Sequence, residues 1–306
     1  MKHTPFRLGT AKKRDPLGKG LTLVLLALGM GSPLVACRPV SEPRVEAPER
    51  EPAPASLAQS EAETGTLEFW ANGEDFIREG FVSKDGWVLS FDQVYVTLAD
   101  MTAYQTDPPF EPESDMALQP KALVSLSGPL TVNLVSTPEE RAFLGSLAAP
   151  PGHYNAFSWR MVPAVSGPAA GYSLWIQGSA QPEEGDANDA IDFVLKFPQE
   201  LAFTCGEYVG EERKGFVRAG QVADLEATFH FDHLFGDGEL PPEDGLNQGA
   251  LGFAPLAALA TEGSLEMDWA GLQEQLSPTE AEQIMEILKH LGHVGEGHCR
   301  ETAAGS

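Results

Sequence analysis

The sequence predicts a mainly β protein, an antiparallel β-sandwich with a short helical extension near its C-terminus. From Gly65 to about Asp232, apolar and polar residues alternate with a period of two, as in strands with one buried face. Glycine and proline interrupt this alternation at short intervals, and no long amphipathic helix pattern falls between them. Regular short strands separated by such turns favour two packed antiparallel sheets.

About nine short segments carry the strand pattern. In "GWVLSFDQVYVTLADMTAY" the apolar positions partly alternate, and "KALVSLSGPLTVNLV" resembles a hairpin with Gly128 and Pro129 in its turn. The other candidates are GTLEFWA, GHYNAFSWRMVPA, GYSLWIQGSA, AIDFVLKFPQELAFTC and ADLEATFHFD. We therefore expect the sandwich domain to span residues 64–239, which is long enough to bury a two-sheet core.

Helix signals replace strand signals after "HLFGDG". "FAPLAALA" and "SLEMDWAGLQEQL" are short helix candidates, and "SPTEAEQIMEILKHL" has the strongest pattern. In the last, Ser277 is a good N-cap, Pro278 fits the first turn and Glu280 completes a capping box. We expect a helical extension over residues 240–299, packed on the sandwich, and a disordered tail over residues 300–306.

The N-terminus predicts export and lipid anchorage. Six basic residues surround the start of the chain, and the apolar stretch "LTLVLLALGMGSPLVA" that follows is too short for a comfortable membrane span. It ends in "LVAC", which resembles the lipobox of bacterial lipoproteins, and that resemblance implies lipidation of Cys37. We predict a signal peptide over residues 1–36, a disordered Pro/Glu/Ala-rich tether over 37–63 and a cell-envelope location, on the periplasmic side or the outer surface. The alternative is an uncleaved anchor helix.

The charge of the chain excludes two classes of partner. The whole sequence carries −25, and residues 1–36 contribute +5 from six basic residues and one aspartate, which leaves −30 on the remainder. Nucleic acids require a basic face, so we expect no nucleic-acid partner. The same charge disfavours electrostatic docking on anionic lipid, so the predicted membrane contact is the lipid on Cys37.

The three cysteines predict one disulfide. If Cys37 is lipidated, Cys205 and Cys299 remain, and an even number of cysteines in an exported chain favours a disulfide. In the chain-entropy model such a bond stabilises the fold by about 4 kcal/mol. A pair of metal thiolates is the alternative.

Part of the chain resembles known but uncharacterised proteins. "SFDQVYVTLADMTAY", "LTVNLV" and "AAPPGHYNAFSWRMV" together are similar to the strand pattern of bacterial lipoprotein β-sandwiches of unknown function, and more distantly to transthyretin-like modules. Pro150, Pro151, Gly152 and Tyr154 carry the turn signature of that pattern. The resemblance implies an immunoglobulin- or transthyretin-like sandwich and implies no activity.

Five of the seven histidines form two clusters that predict a metal site. In "LEATFHFD", a strand places Phe229 and Phe231 on the apolar face and His230 and Asp232 on the other face. The turn that follows brings His233 within reach of them. The second cluster comprises His290, His293 and His298, in "HLGHVGEGHC". Neutral imidazoles with a carboxylate suit Zn²⁺ or Cu²⁺, so the predicted ligands are His230, Asp232, His233, His293 and His298.

Other interpretations of these segments stay open. The histidines can be structural, and His290 can complement the dipole at a helix C-terminus. "TFHFDH" partly resembles the metal motif of metallo-β-lactamases, but Thr228 stands where that motif has a histidine. "DGELPPEDG" is acidic but lacks the ligand spacing of an EF-hand calcium loop.

The sequence therefore predicts a lipid-anchored extracytoplasmic binding protein without catalytic activity. Its first candidate ligand is a divalent transition metal held by the histidine and aspartate cluster. The alternative is an adhesin-like or envelope-assembly sandwich that binds a protein or a glycan. A metal-dependent hydrolase is the third possibility.

Overall fold

The computed structural model describes residues 64–137, 140–185, 189–206, 214–295 and 297–302. The predicted signal peptide, the lipidation site Cys37 and the tether lie outside the described residues. None of the described helices is long and apolar enough to span a membrane.

Sixteen strands account for nearly half of the described chain. They are β1 Gly65–Asn72, β2 Phe81–Val82, β3 Trp87–Thr106, β4 Pro120–Leu126, β5 Leu130–Asn133, β6 Ala142–Ala149, β7 Gly152–His153, β8 Ala156–Met161, β9 Leu174–Pro182, β10 Ile191–Phe197, β11 Leu201–Gly206, β12 Phe216–Val217, β13 Val222–Phe229, β14 Ser264–Asp268, β15 Gly292–Val294 and β16 Gly297–Thr302. The prediction of a mainly β protein is confirmed.

The helices are few and short. They are α1 Glu74–Glu79, α2 Asp232–Phe235, α3 Gly245–Gly249, α4 Ala254–Ala257, α5 Trp269–Gln275 and α6 Pro278–Lys289. The predicted capping box of α6 is present, because Ser277 Oγ accepts the amide of Glu280 and the Glu280 carboxylate accepts the amide of Ser277. These contacts with Ser277 also lower the pKa of Glu280.

The strands form one large curled sheet and a separate two-stranded pair. The main path runs β14-β10-β9-β3-β8-β11-β16-β15-β13-β1-β6, and β2, β4 and β5 pair with β3. The pairs are antiparallel apart from β1–β13 and β10–β14. Strand β8, in the middle of the path, contacts β1 and β13 through aromatic side chains, with Phe69 5.7 Å from Phe157 and Trp159 6.3 Å from Phe229 between ring centroids. These rings are almost fully buried and form part of the hydrophobic core.

The segment predicted to be a helical extension contains strands as well as helices. The candidate helix "SLEMDWAGLQEQL" begins with strand β14, which pairs in parallel with β10, and only its second half is helical. Leu265 alternates with exposed neighbours and enters the core, and Asp268 then caps α5 by accepting the amide of Gly271 at 2.9 Å. The period changes from two to 3.6 inside one short segment, which a single window does not detect.

The prediction for the C-terminal residues also needs correction. Strands β15 and β16 insert between β13 and β11, so residues 300–302, predicted to be part of a disordered tail, extend β16. The predicted disulfide between Cys205 and Cys299 is present, and its two residues pair directly across β11 and β16. This insertion brings the second histidine cluster to the end of β13, where the first one lies.

Candidate metal centre

The segment "FHFDHLF" changes conformation between its two histidines. Strand β13 ends at Phe229, and the amide of His230 donates to Leu291 O at 3.3 Å. Phe229 and Phe231 are fully buried, as predicted for the apolar face. The chain then enters the short helix α2, whose first two residues are Asp232 and His233. The helical turn, rather than a continued strand, therefore brings His233 to the side of His230.

Three predicted ligands converge at this turn. One donor atom each from His230, Asp232 and His233 lies within 4.8 Å of the other two. His230 and Asp232 are only 8% and 7% exposed, and His233 is half-buried. The Asp232 carboxylate accepts the amide of His233 at 3.0 Å, which holds the turn closed. Donors around one Zn²⁺ at about 2.1 Å lie roughly 3.4 Å apart, so small side-chain rotations close the site around an ion.

A fourth predicted residue joins them from the second cluster. His293 lies in β15 opposite Thr228 of β13, and it is 4% exposed. Its ring centroid is 4.3 Å from that of His230 and 5.1 Å from that of His233. Its Nε2 lies 3.0 Å from the carbonyl oxygen of His290. If Nε2 carries the proton and donates to this carbonyl, Nδ1 is the unprotonated nitrogen of the neutral ring.

The other two histidines of the second cluster have different positions. The backbone of His298 pairs with His293 across β15 and β16, and its side chain lies outside the described part of the chain. His290 terminates α6, where its Nδ1 lies 2.9 Å from the carbonyl oxygen of Glu286. That contact is the helix-terminal role that the sequence left open for His290.

Glu74 is a neighbour of the site that the sequence analysis missed. Its Oε2 lies 3.4 Å from Nδ1 of His230. The parallel register of β1 and β13, which ends with Asn72 opposite Thr228, places the start of α1 beside the end of β13. More than 150 residues separate these positions in the sequence, and no local motif connects them.

The second ring nitrogen of His230, Nε2, differs from Nδ1 in its surroundings. Nε2 is buried and has no hydrogen-bond partner among the residues that the structure describes. Burying a polar atom without a partner costs about 1–3 kcal/mol, and native structures contain few such atoms. A metal ion bound to Nε2 would remove this penalty. The donor set of two or three imidazoles and one carboxylate fits Zn²⁺ and Cu²⁺ better than the oxygen-seeking Ca²⁺ or Mg²⁺.

An open groove reaches this cluster through His233. It has a volume of about 890 Å³ and lies between α3 and α6. Its lining includes His233, Leu246, Glu282, Glu286, Ile287 and His290. His233 is the most exposed of the three converging ligands and also lines the groove, so the groove connects the cluster to solvent.

Thr228 has a structural role in place of the missing histidine of the hydrolase motif. It is 1% exposed, and its hydroxyl accepts the amide of Gly295 at 3.3 Å. This contact ties β13 to the turn after β15, which carries His293. The position that supplies a ligand in the hydrolase motif therefore supports the backbone here.

Comparison with known proteins supplies no family. The chain matches no protein-family model, and comparisons with curated proteins and with solved structures give no significant match. The function is therefore argued from the site alone.

Proposed function

We propose that this protein is a lipid-anchored, extracytoplasmic protein that binds a divalent transition metal, Zn²⁺ or Cu²⁺. The first ligands are His230, Asp232 and His233, and His293 is the fourth. The observation that carries the proposal is the buried Nε2 of His230, which has no hydrogen-bond partner among the described residues. His230 also belongs to a group in which one potential ligand atom each of His230, Asp232 and His233 lies within 4.8 Å of the other two. His298 is an additional candidate because its backbone pairs with that of His293.

Two features support binding over a purely structural role for these side chains. A structural histidine in a core has both ring nitrogens satisfied, because an unpaired one destabilises the fold. In addition, the half-buried His233 faces a groove through which an ion can enter. A largely buried cluster of ligand-type side chains, with one unpartnered imidazole nitrogen among the described residues and an entry path, is consistent with a metal site.

The extracytoplasmic location rests on the N-terminal lipobox and on the disulfide. Disulfides persist in oxidising compartments and are rare in the cytosol, so the bond between Cys205 and Cys299 supports export. An immunoglobulin- or transthyretin-like sandwich stays a prediction, as do the protein- or glycan-binding function attached to it and the hydrolase function.

Elemental analysis of the purified protein tests the metal proposal. We expect close to one equivalent of Zn²⁺ or Cu²⁺ in the wild type and in His290→Ala, because the His290 ring contacts its own helix and lies outside the converging set. His230→Ala should contain none. A wild-type protein that stays free of metal after exposure to both ions contradicts the proposal, and so does equal metal content in His230→Ala.

A further inference from the structure

The two ring nitrogens of His230 have different surroundings. This difference determines which nitrogen carries the proton of the neutral ring. Nδ1 faces the carboxylate of Glu74 at 3.4 Å, whereas Nε2 has no partner among the described residues. A neutral imidazole carries one proton, on either nitrogen, and only the nitrogen without the proton can bind a metal. A carboxylate beside Nδ1 attracts the proton to Nδ1 and leaves Nε2 as the metal ligand.

We propose that Glu74 is the positioning residue of the metal site. Its carboxylate accepts the Nδ1 proton of His230, fixes the ring tautomer and orients Nε2 toward the ion. Metal-bound histidines commonly donate their second ring nitrogen to a carboxylate in this way, which raises the basicity of the ligand nitrogen. This inference rests on the proposed function and adds a residue that neither histidine cluster contains.

The backbone at Glu74 supports a specific role for this side chain. Its φ angle is +60°, in the left-handed region that glycine adopts readily and other residues adopt with strain. Strained non-glycine residues concentrate at functional sites. A glycine at position 74 would relieve the strain, whereas the chain has a glutamate there.

Neighbouring side chains hold this conformation. Asn72 Oδ1 accepts the amide of Glu74 at 2.8 Å and also a proton of Arg78 at 2.8 Å. The Asn72 amide in turn donates to Glu226 of β13 at 3.2 Å. The turn that carries Glu74 is therefore fastened to the same strand that ends at His230, which fixes the distance between the two side chains.

A general helix-terminal role is the alternative explanation for Glu74. Acidic residues in the first turn of a helix interact favourably with its dipole. Asp75 occupies the next position of α1, forms an ion pair with Arg78 at 2.8 Å and is largely exposed. It therefore serves as a matched control, because its replacement changes the same helix terminus by the same charge.

Zinc affinity of three variants tests the proposal, measured by competition with a chromophoric chelator. We expect Glu74→Gln to weaken Zn²⁺ binding roughly 10–100-fold, the usual effect of losing such a partner, and Asp75→Asn to leave it unchanged. Glu74→Gly should weaken binding at least as much while the metal-free protein keeps or gains thermal stability, because glycine fits the left-handed φ. A merely structural role predicts that stability and affinity fall together.

The tautomer of His230 provides a second measurement, which needs no metal. Nitrogen-15 NMR of the metal-free wild type should show the proton on Nδ1, and Glu74→Gln should show a mixture. A proton on Nε2 in the wild type overturns the inference, as does zinc affinity of Glu74→Gln within twofold of the wild type. Wild-type protein that binds no zinc overturns the proposed function and this inference with it, whereas an unaffected Glu74→Gln overturns the inference alone.

Discussion

Two polar regions lie next to each other in this chain, and among the described residues only one of them contains a buried side-chain atom without a hydrogen-bond partner. Both the acidic loop Asp237–Gly245 and the cluster of His230, Asp232 and His233 contain side chains of the kind that bind cations. The buried Asn247 of α3 donates to the loop carbonyl oxygens of Asp237, Leu240 and Pro241 and accepts the amide of Asp237. In the cluster, Nε2 of His230 has no such partner among the described residues.

Two carboxylates of the loop are also engaged. Asp237 accepts the amide of Glu239 at 2.8 Å, and Asp244 caps α3 by accepting the amide of Leu246 at 3.0 Å. Asn247 therefore organises the loop in the way that a bound cation would. Buried ligand atoms without a hydrogen-bond partner indicate a cation site. Acidic composition alone does not indicate one.

The two regions also differ in how they are assembled. Asn247 lies ten residues or fewer from the groups that it binds, whereas His293 and Glu74 reach His230 through strand pairing over long sequence separations. The loop should therefore depend on one side chain and the cluster on the whole sheet.

The largest expected effect comes from removing the disulfide. Replacing both Cys205 and Cys299 with serine should reduce the free energy of unfolding by about 4 kcal/mol, because the bond closes a long loop. Zinc affinity should fall as well, since β16 holds β15 and with it His293. Chemical denaturation and zinc titration measure the two effects, and unchanged zinc affinity would contradict the dependence of the site on the disulfide.

Removing the Asn247 side chain should have the next largest effect. Asn247→Ala leaves several loop carbonyls without a donor, so we expect a loss of about 3 kcal/mol in the free energy of unfolding. Zinc affinity should stay within a few-fold of the wild type. Asn247→Asp should cost at least as much, because it turns a carboxylate oxygen toward the same carbonyl oxygens and buries a negative charge. A large loss of zinc affinity in Asn247→Ala would contradict the separation of the two regions.

Metal addition distinguishes the regions by their ligand preference. At a hundredfold excess over its Kd, Zn²⁺ should raise the free energy of unfolding by about 2.7 kcal/mol through binding to the folded state. Ca²⁺ should leave it unchanged, because Asn247 already satisfies the loop. His230→Ala should lose the zinc response. Stabilisation of the wild type by Ca²⁺ would contradict the conclusion that the acidic loop is not a cation site.

The smallest expected effect concerns the rate of metal uptake. The groove beside His233 contains Glu282 and Glu286, which attract cations toward the site. Glu282→Gln/Glu286→Gln should slow zinc association about threefold at low salt, leave dissociation unchanged and lose the difference at high salt. Stopped-flow mixing measures the rates. Glu274→Gln, in α5 and outside the groove lining, is the control, and an equal slowing there would exclude the groove as the route.

Several elements could be predicted because their signals are local. The alternation in β13 predicts the buried Phe229 and Phe231, and the capping box predicts the start of α6. Strand β14 was missed because its alternation covers five residues and merges into a helix. Strands β15 and β16 were missed because histidines and glycines carry little strand signal, and only pairing with β13 and β11 stabilises them.

The sequence by itself determined the mainly β class, the cysteine pair and the residue types of the candidate site, because alternation, cysteine number and histidine spacing are local properties. The tertiary structure alone decided that the rings of His293 and His230 are neighbours and that the Glu74 carboxylate lies beside Nδ1 of His230. It also decided that Asn247 forms hydrogen bonds with the backbone of the acidic loop. Each of these contacts depends on which strands pair and in which register. Register is set by burial of the whole sheet, which no short segment contains.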